Sequence, residues 1–220
     1  MITLVYFWRI KKIFLPIALL FMAINRISLK KMANIKFVKS LGTGKGESFS
    51  PRDADQYRWG LLLTTAESYI EEIDNSKVIK GWQKISSDEY RVVLRNISAH
   101  GLWSKQQPFL TELFDWDGKV AAITRARIVW RKNLIFWRAV PPVTTSLHKS
   151  PGLISAIGIG EAPIGLQGTF SIWESTASLR EFAYKGQAHA QAIKATHLNK
   201  WYSEELFSRF AVIQERGNLK

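Results

Sequence analysis

The 220-residue chain contains no cysteine. That absence excludes disulfides, iron–sulfur clusters and a thiolate-ligated haem, and it is compatible with a reducing cytoplasm. Any metal must rely on carboxylates, tyrosine, methionine or the four histidines, His100, His148, His189 and His197. No spacing among them forms a zinc pattern such as His-Glu-x-x-His. A Gly-x-Ser-x-Gly elbow is missing as well, which weakens hydrolase readings. Acidic side chains are few: 18 against 31 Lys and Arg, for a net charge of +13, and residues 1–46 carry nine basic residues and no acid. Such a stretch is a solvated basic face, a surface for anionic lipid headgroups, or a surface for nucleic acid phosphates. No helix-turn-helix, zinc finger or RNP motif accompanies it, which disfavours nucleic acid. Long apolar runs are scarce too. Ile13–Ile24 follows Lys11-Lys12 in the manner of a signal peptide, but about twelve residues are too few to span a bilayer. Asn25-Arg26 then follows without a small-x-small cleavage pattern. The run is expected to be a buried helix.

What is abundant is apolar and aromatic surface: 46% hydrophobic residues, nine Trp and twelve Phe, enough for a globular core and for a bulky apolar ligand besides. The order of landmarks repeats. Gly42-Thr43-Gly44 and Gly158-Ile159-Gly160 each precede an apolar strand (Trp59–Leu63, Thr169–Trp173) and then a polar helix start. The two motifs lie 116 residues apart, and the basic pairs Lys11-Lys12 and Arg131-Lys132 about 120 apart. The chain reads as a fused duplication.

Period-two and helical spacing give strands at Ile2–Trp8, Ile35–Leu41, Tyr57–Thr64 and Tyr90–Ile97, with helices at Phe14–Ile27 and Ala66–Ile85. The second half gives strands at Val120–Val129, Leu153–Ile159, Gln167–Trp173 and Arg209–Ile213, a helix at Leu134–Leu147 broken at Pro141-Pro142, and helices from Ser175 through Phe207. Each order is βαββαβ. The fold class is therefore α+β, two fused ferredoxin-like repeats forming a core like that of a dimeric α/β barrel, whose apolar interior is a ready cavity for a cofactor. Residues 1–97 form the first repeat, 98–117 a linker and 118–220 the second repeat.

Gly42-Thr43-Gly44-Lys45-Gly46 meets neither P-loop nor dinucleotide-binding spacing and reads as a turn. On Val120–Val129, Ile123, Arg125 and Arg127 share one face and Ala122, Thr124 and Ala126 the other. Small residues suit packing under helices, so the arginines turn toward the barrel interior or its rim. A buried Arg125 needs an anion, either a carboxylate such as Glu161 or Glu174 or a haem propionate. His189, in Gln187-Ala188-His189-Ala190-Gln191-Ala192, has small neighbours that would let a planar macrocycle approach, although on the residue pattern alone a lone helical histidine is more often a surface or capping residue.

Leu41–Gly44, Trp103-Ser104, Leu134–Pro142, Ile157–Pro163 with Thr169–Trp173, and Trp201–Phe210 together resemble the spheroidene monooxygenase (acyclic carotenoid 2-ketolase) family. The resemblance runs from about Leu4 to Val212. It implies an oxygen-dependent enzyme with non-covalent b-type haem iron, electrons from reduced ferredoxin, and oxidation of C-2 of an acyclic carotenoid to a ketone by two hydroxylations. It raises His189 as the axial metal ligand, on a carboxy-terminal haem-ligating helix, with Arg125 on a propionate. Trp103, Phe136, Trp137 and Trp173, inside the matching blocks, become the substrate-binding candidates. The alternatives are a carotenoid hydroxylase that stops at the alcohol and a non-catalytic barrel that binds haem or lipid. The expected location is cytoplasmic, with peripheral attachment to the inner membrane.

Overall fold

In the computed structural model, which describes residues 1–32, 34–45, 51–161, 166–185 and 201–219, eight strands close into a barrel. The first half runs β1 (Ile2–Ile10), α1 (Leu15–Lys30), β2 (Phe37–Gly44), β3 (Ala54–Thr65), α2 (Ile70–Asp74), α3 (Lys77–Ile85) and β4 (Ser86–Gly101). The second runs β5 (Val120–Ile128), α4 (Asn133–Ala139), α5 (Pro141–His148), β6 (Leu153–Gly160), β7 (Leu166–Trp173), α6 (Thr176–Lys185) and β8 (Tyr202–Arg216). Both half-sheets have the same strand order, β4-β1-β3-β2 and β8-β5-β7-β6, every pairing antiparallel. An isolated half would expose two edges of unpaired backbone groups. Here the edges satisfy one another, β2 on β6 and β4 on β8.

Alternation along the strands supplies two cores. In β1, rich in β-branched and aromatic residues, Val5 and Phe7 point into the barrel, while Leu4, Tyr6 and Trp8 point outward under the helices. Trp8 is stacked between Tyr6 and Trp82, with ring centroids 5.3 and 5.0 Å away. Helix α3 buries Ile79, Trp82 and Ile85 on one face and begins at Ser76, whose hydroxyl accepts the N–H of Ile79 at 3.4 Å. Among the described residues the interior does not provide the open cavity expected from the sequence. Phe7, Phe37, Leu62, Tyr90, Phe170 and Phe210 are among the buried side chains that meet inside it, large enough to fill the interior of an eight-stranded barrel.

The duplication is visible in the seams. β1 and β5 begin and end 118 residues apart (Ile2 to Val120, Ile10 to Ile128), and β2 and β6 116 apart (Phe37 to Leu153, Gly44 to Gly160). The two Gly-x-Gly motifs are not turns but strand ends that pair with each other, Gly42 with Gly160 and Gly44 with Gly158. At the other seam β4 ends in Gly101 (φ 88°) and β8 is followed by Gly217 (φ 83°). A Cβ at Gly101 would lie 2.1 Å from the carbonyl oxygen of Glu205, and one at Gly217 2.0 Å from that of Glu89. Glu89 and Glu205 are themselves equivalent positions, so both copies kept the same glycine-dependent crossing.

Several expected elements are redrawn. The 66–85 helix is divided at Asn75 and Ser76. Residues 202–207 belong to β8, not to a helix: Leu206, Ser208 and Phe210 are buried in a period of two, which the apolar Phe207 between them obscures in the sequence. In α1 only Ala18, Asn25 and Leu29 are buried, so the amino-terminal helix is not an interior one. It continues past Asn25-Arg26, and Lys12–Lys30 is long and apolar enough to cross a membrane. Residues 98–101 lie in β4, and Trp103 and Phe109 pack into the barrel core.

Candidate functional site

At one mouth of the barrel the chain gathers two cations and two carboxylates. Lys39 sits near the start of β2, in the inward row with Phe37 and Leu41. Arg125 lies near the end of β5, Glu161 just after β6 and Glu204 near the start of β8. Lys39 and Arg125 are 5% and 4% exposed. Glu161 binds Lys39 Nζ through Oε2 and, through Oε1, Arg125 Nη2 at 3.0 Å and the Trp103 indole N–H at 2.7 Å. Glu204 accepts Arg125 Nη1 through Oε1, the backbone N–H of Ser104 at 3.0 Å, and that of Lys105 at 2.6 Å. Lys39 also donates to Ser104 Oγ at 2.6 Å.

The turn after β4 is shaped for this contact. Ser104 and Lys105 both have positive φ, 56° and 63°, a conformation that costs free energy without glycine but aims successive N–H groups at one anion. Trp103, fully buried, has Arg125 over one ring region at 5.6 Å and Lys39 at 5.9 Å. Desolvation disfavours both charged carboxyls. Lys39, Trp103 and Arg125 outweigh it at Glu161, and the Lys105 and Ser104 amides with Arg125 outweigh it at Glu204, so both titrate below the ordinary carboxylate range. Burial lowers Lys39 below the usual lysine range, opposed by Glu161. The result is a charge-balanced polar lid over an apolar core, with Arg125 Nε as a buried donor that has no partner.

The sequence candidates scatter. Arg125 and Trp103 meet in this cluster, and Glu161, one of the two carboxylates proposed for Arg125, is its partner; Glu174 is exposed elsewhere. Trp173 lies on the outer face, stacked on Phe182 and donating to Ser171 Oγ at 2.9 Å. Phe136 packs against Trp201 and Tyr202, and Trp137 reaches Gln167 at 3.4 Å. Lys39 and Glu204 were missed. An inward lysine between Phe37 and Leu41 was a readable signal for a buried carboxylate; Glu204 was concealed by the helical reading of its segment.

His189 and His197 lie outside the described residues. His100 and His148 are exposed, and among the described residues no group of three metal-ligating side chains occurs. With the interior filled and the Arg125 guanidinium already shared by Glu161 and Glu204, the described residues by themselves do not hold a haem. No step below is routed through one.

A spheroidene monooxygenase of Cereibacter sphaeroides is 32% identical to this chain over 200 residues, covering 89% of the chain and 61% of that protein. A spheroidene monooxygenase of Rhodobacter capsulatus is 32% identical over 210 residues, covering 93% of the chain and 86% of that protein. The chain thus spans less than two thirds of the first relative and most of the second. No family model matches it. Among solved structures, an aldoxime dehydratase in complex with butyraldoxime aligns with a TM-score of 0.58 at 9% identity, covering 96% of this chain and 79% of that one. At that identity the likeness is one of fold.

Proposed function

The chain belongs to the spheroidene monooxygenase family, and on that premise we propose that it oxidises C-2 of an acyclic, spheroidene-like carotenoid to a ketone. The observation that carries the reading is the 32% identity to the Rhodobacter capsulatus protein across 93% of the chain. In each of two rounds one atom of O2 enters a C–H bond, and two electrons with two protons reduce the other atom to water. The second round on the same carbon yields a geminal diol that loses water to the ketone. Reduced ferredoxin is the proposed electron donor. We infer b-type haem as the cofactor, which when bound would supply the activation of dioxygen, with His189, outside the described residues, as the residue that would hold its iron.

The chain's own contribution at the described mouth is positional. The Lys39–Glu161–Arg125–Glu204 cluster fixes the ends of four strands and the Trp103 turn, and keeps water from the apolar interior beneath it. The functional test supplies the purified protein with spheroidene, O2 and reduced ferredoxin and weighs the product. A gain of one oxygen less two hydrogens identifies the ketone, and a gain of one oxygen alone identifies a hydroxylase. Absence of carotenoid-dependent oxygen uptake would leave a binding protein. A Soret band is expected after expression with adequate haem supply. His189→Ala should abolish or shift it, whereas His100→Ala, His148→Ala and His197→Ala should not.

A further inference from the structure

We propose that α1 is an interfacial docking helix that lies in the plane of an anionic lipid bilayer and inserts its outer face into it. This goes beyond the catalytic reading, because it rests on the surface of α1 and not on the substrate. The outer face carries Ile17, Leu20, Ile24 and Ile27, and Ile13 in the 3-10 turn just before the helix (Lys12–Phe14) continues the row, spaced by four, three, four and three residues from Ile13 onward, which is one stripe of a helix. From Ile13 to Ile27 its members are 77%, 39%, 55%, 44% and 59% exposed, and Leu19 beside them is 54% exposed. A contiguous apolar patch of this kind, without a polar residue inside the stripe, marks an interaction surface. Lys11 and Lys12 precede it, Arg26 flanks it and Lys30 and Lys31 follow it, all exposed, and no acid occurs in residues 1–46 to neutralise them.

The charge decides the occupant. A second copy packed stripe to stripe would bring the same cations together with no counter-charge, and an acidic protein surface would leave the isoleucines unsatisfied. An anionic bilayer meets both, with headgroups for the basic flanks and acyl chains for the stripe. The opposite face decides the orientation. Ala18, Asn25 and Leu29 are buried against the sheet, and Phe21 sets its ring edge-on to Trp82 at 5.4 Å. A helix held along its length against the barrel cannot turn perpendicular to the membrane, although 16 residues would reach about 24 Å. The second half carries a smaller version after its own first strand: exposed Trp130, Leu134 and Ile135 beside Arg131 and Lys132.

Flotation of the full chain with vesicles of phosphatidylcholine containing about 30% phosphatidylglycerol tests the proposal. Wild type should float with these vesicles and about tenfold less with phosphatidylcholine alone or in high salt. Ile17→Ser/Leu20→Ser/Ile24→Ser should lose about tenfold or more while keeping wild-type circular dichroism, since these side chains support no core; Leu113→Ser, at an exposed leucine elsewhere, should bind as wild type. Turnover of detergent-dispersed carotenoid should be unchanged in the triple variant, which separates failed docking from a failed enzyme. Undiminished binding by that variant overturns the proposal, as does a wild-type dimer that the variant dissolves without any vesicle binding. Because the chain has no cysteine, a fluorophore on Ile13→Cys, Leu20→Cys or Ile27→Cys reports depth cleanly. Similar shallow depths are expected, and a progression across the bilayer would show a spanning helix and refute the in-plane arrangement.

Discussion

The two mouths of the barrel occupy equivalent places in the two repeats, yet among the described residues one is closed by an ion-pair cluster and the other carries a cleft beside the buried Leu219. At the sealed mouth Lys39, Arg125, Glu161 and Glu204 neutralise one another around Trp103. At the other, Phe7 stands where Arg125 does, Ser155 where Lys39 does and Lys45 where Glu161 does, by the same 118- and 116-residue offsets. The result there is a 340 Å³ cleft lined by Arg9, Lys45, Arg58 and His148, with Asp55 as its acid. Arg9 reaches Asp55 at 3.6 Å, and Arg58 donates to the Leu219 carbonyl at 3.0 Å. The β4–β8 seam, in contrast, kept its glycines and their carbonyl contacts in both copies. Backbone closure at this seam uses glycine at the same place in both halves, whereas the side chains at the two mouths differ.

The contrast breaks most readily at Arg125. Arg125→Ala leaves Glu161 and Glu204 buried without their shared cation and should lower unfolding free energy by about 3–5 kcal/mol in denaturant titration, while Arg9→Ala at the mouth with the cleft should change it by no more than about 0.5 kcal/mol. Equal losses would mean that the mouths are energetically alike. Gly101→Ala and Gly217→Ala should each cost more than about 2 kcal/mol, because positive φ and a Cβ closer than contact to a carbonyl combine. The two values should match, since the seam is symmetric.

Acid should unlock the sealed mouth first. Glu161 and Glu204 titrate below the ordinary carboxylate range in the folded protein. Their stabilisation is complete above the unfolded value of about 4.3 and is lost as pH falls through the lower folded values. Chemical denaturation between pH 6 and about 3 should show this loss, and Glu161→Gln should flatten it. A smaller loss than at Arg125 is expected from Trp103→Phe, which removes one hydrogen bond to Glu161 and keeps most of the packing, for about 1–2 kcal/mol by the same denaturant titration.

Much of the first-order plan was legible. Period two in β1 and β5, the repeated landmarks and the break at Pro141-Pro142 gave two βαββαβ units in the right order. Ile123 and Arg125 were placed on the inward face and Ala122 on the outward one. The site was half legible: Arg125 with Glu161 was foreseen as one alternative, since a buried guanidinium requires an anion. Glu204 and the Ser104–Lys105 amides were not, because their role depends on a turn with positive φ meeting a strand about 100 residues away.

The sequence by itself determined local geometry and inside–outside choice, which rest on spacing and side-chain polarity within a few residues. Only the tertiary structure decided that the two Gly-x-Gly motifs pair, that the barrel interior is filled, and that α1 shows its isoleucines to solvent. Those outcomes depend on which edges meet and on how much room closure leaves. An eight-stranded circle fixes the radius, and the radius leaves space inside for side chains and a place outside for one face of each helix.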